Sequence, residues 1–212
     1  AIKVTAPLGS VLNPTPPAPV RARLLPSYRV FNSVMAALSQ VVPERVIAPG
    51  YDTTTAACLS EFRDGRYNIY LEIFGGGYGG GAHSDGCDGV DCALSNCSNI
   101  PLEAMELDYG FFRVENYALI PDSGGKGRHR GGLGFEKSYR ILEDGVAFAT
   151  YGDRFRIAAE GVFGGGPGRH AENLIERDGE TISVGSKAGV ELKKGNLLIM
   201  RTGGGGGYGE PS

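Results

Sequence analysis

The chain has 212 residues, a formal net charge of −3, 41 % hydrophobic residues and 35 glycines; that is room for one domain with a sizeable core, and clustered glycines among so many apolar residues read as a folded, loop-rich β protein, not low complexity. So slight a charge offers nothing to attract nucleic acid or an anionic membrane, and no run is long enough to span a bilayer. The amino end is no signal peptide, and four cysteines do not make a disulfide scaffold, so a reducing, cytoplasmic setting is expected.

In chain order, Ala1 opens the sequence without methionine, as a piece cut or processed from something longer would, and a strand is expected at once in Ile2-Lys-Val-Thr-Ala6. Five prolines between Pro7 and Pro19 predict an extended, polyproline-like connector. Ser27 to Val42 is the one clear helix. Val30, Val34, Leu38 and Val41 share a face at helical spacing, Pro26-Ser27 starts it and Pro43 stops it, and the stripe is expected to be core.

From Thr53 the period changes to two. Thr53–Phe62 and Arg66–Phe74 flank Asp64-Gly65, a hairpin signal because a type I′ turn needs φ > 0 at both central residues. The same device recurs at Asp144-Gly145, between Tyr139–Leu142 and Val146–Tyr151, and at Asp178-Gly179, between Asn173–Ile175 and Thr181–Val184; Lys194-Gly195 is read as turning Val190–Lys193 into Asn196–Met200. The expected class is α+β and β-rich: mostly antiparallel sheet with hairpins, one clear helix and ordered glycine-rich loops. There is no βαβ rhythm.

The central stretch is Phe74 to Asp88, where a strand feeds seven residues of which six are glycine, Gly75 to Gly81, followed by His83, Asp85 and Asp88. Two further clusters, Gly164–Gly168 and Gly203–Gly209, echo it. Such runs cost conformational entropy unless tertiary structure holds them, and ordered loops closing around one site are expected. Gly75 to Gly80 fits G-x-G-x-x-G, yet no helix opens at the last glycine to receive a pyrophosphate. Gly125-Lys126 is followed by Gly127, so no Walker hydroxyl is placed for Mg²⁺, and the chain alone is expected not to bind ATP. Pro121-Asp-Ser-Gly-Gly125 looks like the serine loop of trypsin-like proteases, but Cys58 stands where the general base should come, and a serine without an imidazole is an ordinary hydroxyl. Cys87, Cys92 and Cys97 lack the tight C-x₂-C knuckle of structural zinc, so no metal is expected; Asn96-Cys-Ser98 is a chance glycosylation sequon. His83, Asp85 and Asp88 suit acid–base work and equally suit turns, since Asp-Gly pairs are what tight turns want. His129 and His170 read as loop residues.

Several motifs together resemble the hydantoinase B family, which includes parts of 5-oxoprolinases and ketone carboxylase subunits. They are Gly9-Ser-Val-Leu-Asn-Pro14, Pro17-Ala-Pro-Val-Arg-Ala-Arg23, the GGG-Y-GGG loop with Asp85-Gly86, Asn96–Glu103 with Glu106, Asp122-Ser-Gly-Gly-Lys-Gly-Arg-His-Arg-Gly-Gly-Leu-Gly134 and the Tyr208-Gly-Glu-Pro211 tail. The resemblance runs over essentially the whole chain and matches only the carboxyl-terminal part of such proteins, so residues 1–212 are expected to be a single unit of a longer B-type subunit. It implies a cytoplasmic ATP-dependent cyclic-amide hydrolase acting on a phosphorylated lactam or hydantoin, with ketone carboxylase or non-catalytic scaffold as alternatives. It implies ATP and Mg on a hydantoinase A-type, kinase-like partner, any divalent metal in the amino-terminal portion of the B-type subunit, and none on this chain. The site expected from these readings has the amides of Gly75, Gly76, Gly77, Gly79 and Gly80 facing developing negative charge, with Asp122 and Ser123 in the same substrate loop and His83 and Asp85 moving protons. On that reading Gly77→Ala lowers turnover more than stability.

Overall fold

The computed structural model describes residues 3–20, 24–95 and 100–211. Its elements in chain order are α1 (Leu24–Leu38), β1 (Thr55–Arg63), β2 (Arg66–Phe74), α2 (Leu102–Asp108), β3 (Phe112–Leu119), β4 (Phe135–Ile141), β5 (Val146–Tyr151), β6 (Glu172–Arg177), β7 (Glu180–Ser183), β8 (Lys187–Leu192) and β9 (Leu197–Arg201). The strands form two antiparallel sheets, a four-stranded one ordered β2-β1-β5-β8 and a five-stranded one ordered β3-β4-β9-β6-β7. The β-rich α+β class read from the sequence is the class observed.

Turn chemistry separates the real hairpins from the apparent ones. Asp64 and Gly65 have φ of 51° and 74°, and Asp178 and Gly179 have 53° and 83°. Both pairs therefore meet the type I′ requirement, and β1 pairs with β2, β6 with β7. At Asp144-Gly145 and Lys194-Gly195 only the glycine is left-handed, at 75° and 89°. These two are not hairpins, which corrects the reading of them from sequence. Each carries the chain from one sheet to the other: β4 and β9 pair in the larger sheet, while their continuations β5 and β8 pair in the smaller one. The two crossings lie side by side, with the Lys194 amide donating to Asp144 Oδ1 at 3.0 Å and the Gly195 amide to the Ile141 carbonyl at 2.8 Å. A two-stranded ribbon thus bends through a corner and joins the layers.

The core draws on both sheets and α2. Leu59, Tyr70 and Phe74 from the smaller sheet meet Phe135, Tyr139, Ile141, Leu198 and Met200 from the larger, with Met105, Phe111 and Phe112 beside them. In β2 the buried positions are Tyr70, Glu72 and Phe74, while Ile69 and Leu71 face outward. A glutamate in that inward set needs a counter-charge. Lys137 of β4 supplies it, its Nζ 2.9 and 2.7 Å from the two Glu72 oxygens, with both side chains almost wholly buried.

Three expectations need correction. The helix runs over 24–38, ending before the predicted Val42, and Pro43 opens a short 3₁₀ turn instead. Its stripe is not core: Val30, Val34 and Leu38 are 41 %, 46 % and 42 % exposed, and Tyr28 is its one buried residue. Periodicity marks an apolar face without saying what covers it. The opening strand is absent from Lys3 to Ala6, and Ile2 lies outside the described residues. The seven-residue α2, at 102–108, was not read from the sequence. Among the described residues no helix is long and apolar enough to cross a membrane.

Candidate functional site

The glycine clusters do converge, and they converge on one another. Gly203–Gly207, buried throughout, is bonded along its length by segments from several directions. The Gly77 and Gly80 amides donate to the Gly203 and Gly206 carbonyls at 3.0 and 2.9 Å, and the Gly125 amide to Gly205 at 2.8 Å. In return the amides of Gly205, Gly206 and Gly207 reach the carbonyls of Gly132, Pro49 and Gly166 at 3.0, 2.8 and 2.9 Å. A strand in a sheet has two hydrogen-bonding neighbours; this segment has more, so it is the centre of a bundle of extended chains. None of Gly203–Gly207 has a left-handed φ. What the bundle needs from glycine is the missing Cβ. One added at Gly77 would lie 2.5 Å from the Gly205 nitrogen and closer still to the Gly132 oxygen; at Gly79 it would lie 2.5 Å from the Ala48 carbonyl carbon.

That packing changes what the opening loop can present. The amides of Gly76, Gly77, Tyr78, Gly80 and Gly81 all donate to backbone carbonyls, of Val90, Gly203, Cys87, Gly206 and Ser84. The expected row of amides open to a ligand is therefore corrected: most are bonded inside the bundle, because each extended segment is surrounded. Ser123 is fully buried. Its hydroxyl donates to the Ile120 carbonyl at 2.7 Å and accepts from the Gly134 amide at 2.9 Å, so it closes a loop. Asp122 is exposed, in a left-handed turn at φ 56°.

At the rim of the bundle the chain brings charged side chains together. The glycine at 80 passes against the His129 and Arg130 carbonyls, and the Gly86 amide donates to the Arg130 carbonyl at 2.8 Å. Asp85 Oδ1 accepts from the Arg130 amide at 3.0 Å and lies 3.6 Å from His129 Nδ1. His129 is itself fixed by paired backbone hydrogen bonds with Tyr208, 3.1 and 2.8 Å. The imidazole beside Asp85 is thus His129, 44 residues away and read from sequence as a loop residue, while His83 is exposed on the same turn. Nothing local in the sequence signals the pairing, which exists only because the bundle folds segment 124–134 against 75–89.

Asp88 is the second acid of the rim and is a bracket. It takes Arg130 Nη1 and Nη2 at 2.7 and 3.1 Å and the Leu133 amide at 2.8 Å. The guanidinium hydrogen bonds hold its carboxyl below the usual carboxylate value, burial opposing them and the Leu133 amide adding to them. A depressed carboxylate gives stability that is present above its unfolded value, near 4, and lost as pH falls through the folded one. Asp88→Asn is therefore expected to lower Tm at neutral pH, with the gap to the parent narrowing below about pH 4. Thermal melts of both chains across the acid range check this; a gap that does not change with pH contradicts it.

Among the described residues the cysteines do not gather into a metal-binding group. Cys92 is buried with its thiol donating to Asp91 Oδ1 at 3.1 Å, and burial above all pushes that thiol up to about 12. Cys58 and Cys87 are free thiols, and Cys97 lies outside the described residues. Among the described residues no three His, Cys, Asp or Glu side chains converge as a metal would require, and no step is assigned to a metal on this chain.

Residues 1–211 match the family model for hydantoinase B/oxoprolinase. An uncharacterized protein of Methanocaldococcus jannaschii is 35 % identical over 99 % of the chain, which spans 36 % of that relative. 5-Oxoprolinase 1 of Arabidopsis thaliana is 30 % identical over 98 % of the chain and 16 % of its own length. Among solved structures, the ATP-dependent caprolactamase of Pseudomonas jessenii superposes with a TM-score of 0.83 at 22 % identity, over 98 % of this chain and 38 % of that one. The chain therefore spans less than two-fifths of each of these proteins.

Proposed function

The chain belongs to the hydantoinase B/oxoprolinase family, and from that premise we propose that it is one part of an ATP-dependent cyclic-amide hydrolase. The names of its relatives, a 5-oxoprolinase and an ATP-dependent caprolactamase, support the substrate class. An unstrained lactam or hydantoin carbonyl is a poor electrophile. ATP and Mg, held on this reading by a hydantoinase A-type partner, supply the phosphoryl group that turns the carbonyl into a good one. The chain's share, together with the amino-terminal portion of a B-type subunit, is to manage the proton that water loses and the ring nitrogen gains.

The observation that carries this reading is the Asp85 carboxylate beside the His129 imidazole at 3.6 Å, on backbones the bundle holds still. A carboxylate facing Nδ1 favours the tautomer with its proton there, which leaves Nε2 to accept a proton from water and return it to the departing nitrogen. His83, on the same exposed turn as Asp85, is proposed as a second proton donor at this rim. The glycine segments are then the frame of the site, and any oxyanion contact falls to the amides not bonded within the bundle.

In the assembled enzyme, His129→Asn and Asp85→Asn are expected to lower kcat by about 10²–10⁴-fold, the usual worth of a positioned acid or base, with ATP binding and Tm close to parental. Parental kcat in both variants would remove the pair from the chemistry.

A further inference from the structure

A second cluster of charge lies away from the rim, where α1 meets the segment after β5. A cavity of 350 Å³ there is lined by Arg29, Arg154, Arg156 and Lys187, with Asp153 as its one carboxylate. Arg154 is 9 % exposed and is spent on backbone: Nε, Nη1 and Nη2 donate to the carbonyls of Tyr51, Ala158 and Gly50 at 3.2, 2.9 and 3.2 Å. Arg29 Nη2 donates to the Asp52 carbonyl at 2.6 Å, while its Nε is buried with no partner. Carbonyls satisfy hydrogen bonds but do not neutralise charge, and a buried guanidinium without an anion is costly. Asp52 offsets part of this, but its own carboxylate is shared with the Gly50 amide, whose nitrogen is 2.7 Å away. Arg156 and Lys187 are exposed and form no ion pair within 4 Å among the described residues.

The backbone around the cavity is also held in an uncommon form. Asp52 and Arg154 are non-glycine residues at φ 42° and 66°, a conformation that costs on the order of 1–3 kcal/mol each and gathers at functional sites. Burial above all, and then the neighbouring Arg29 charge, lower the Arg154 guanidinium to about 10, with Asp52 and Asp153 opposing them.

We propose that this cavity binds a small oxyanion, a carboxylate or phosphate group, seated against Arg29 and Arg154 with Arg156 and Lys187 at its mouth. Arg29 and Arg154 contribute charge that carbonyls leave unneutralised, while the exposed Arg156 guanidinium, a planar fork suited to two-oxygen recognition, and the Lys187 ammonium offer the donors a ligand would take. The site is separate from the Asp85–His129 rim, and its occupancy is read without turnover, so it stands or falls independently of the reaction proposed above.

The test is titration of the chain with inorganic phosphate and, separately, with acetate at constant ionic strength, following the Nε–H signals of Arg29 and Arg154 by NMR. A saturable shift is expected in at least one titration; saturation by phosphate alone assigns a phosphate group, and by acetate alone a carboxylate. Arg156→Ala/Lys187→Ala is expected to weaken that binding by roughly tenfold or more. Lys187→Glu, a charge reversal at an exposed position, is the second variant should the double one melt below the parent. The absence of a saturable shift with either ion, or unchanged affinity in these variants, overturns the proposal.

Discussion

Replacing Gly77 with alanine is expected to destabilise the chain by roughly 3 kcal/mol or more, the upper range of overpacking in a filled interior. The new methyl would have to displace the Gly132 carbonyl and the Gly205 amide, which are backbone atoms bonded to each other at 3.0 Å and so join two segments of the bundle. Unlike a side chain, neither can rotate away. Gly79→Ala, pressed against the Ala48 carbonyl, should behave the same way. Gly189 of β8 is the control, since it has no neighbour within 4 Å of an added Cβ and no left-handed φ. Alanine there should be neutral or stabilise by up to about 1 kcal/mol, because it restricts the unfolded chain. Urea midpoints for the three variants check this. Equal midpoints for Gly77→Ala and Gly189→Ala would mean that the bundle is not close-packed. A loss of turnover at Gly77 is then a consequence of lost structure, the reverse of what its sequence position suggested.

The second large effect is expected at the buried ion pair. Lys137→Met leaves the Glu72 carboxylate deep between the sheets without its counter-charge, a change that costs about 3–5 kcal/mol when a buried pair is broken. Glu72 also accepts hydroxyl hydrogen bonds from Tyr70 and, at 3.1 Å, Tyr139. The ammonium in turn lies over the Tyr117 ring at 4.7 Å. Burial pushes the Lys137 ammonium below its usual value and Glu72 pulls it back up, so what keeps it charged is the partner. Lys137→Met/Glu72→Gln should recover part of the loss, since a neutral amide is left in place of a bare charge. A double variant as unstable as Lys137→Met plus Glu72→Gln taken separately would show that the two groups are not coupled.

The parts of the fold legible in the sequence are those decided locally. Asp64-Gly65 and Asp178-Gly179 made hairpins because both residues accept a left-handed φ, and β1 and β2 carried the alternation that strands require. Asp144-Gly145 spells the same dipeptide, yet its strands separate, because pairing between β4 and β9 and between β5 and β8 outweighs one turn. Which face of β2 turns inward was hidden as well: Ile69 and Leu71 are more hydrophobic than Glu72, and only Lys137, 65 residues on, explains the choice. The glycine runs were legible as ordered and mutually packed, but not as a bundle consuming its own amides. At the rim the approach of the His129 imidazole to Asp85 was not legible, since contact between residues 85 and 129 depends on the packing of separate segments.

The claim on which the functional reading rests is that this chain completes a machine coupling ATP cleavage to cyclic-amide opening. The direct measurement is phosphate release from ATP by the chain assembled with the remainder of a B-type subunit and its A-type partner. It would be made with no substrate, with a panel of lactams and hydantoins, and with a ketone plus bicarbonate. Phosphate release that requires one of the cyclic amides, matched by ring-opened product and lost when this chain is left out, is the expected result. Release that responds only to ketone and bicarbonate, or that proceeds with a cyclic amide equally well without the chain, would contradict it.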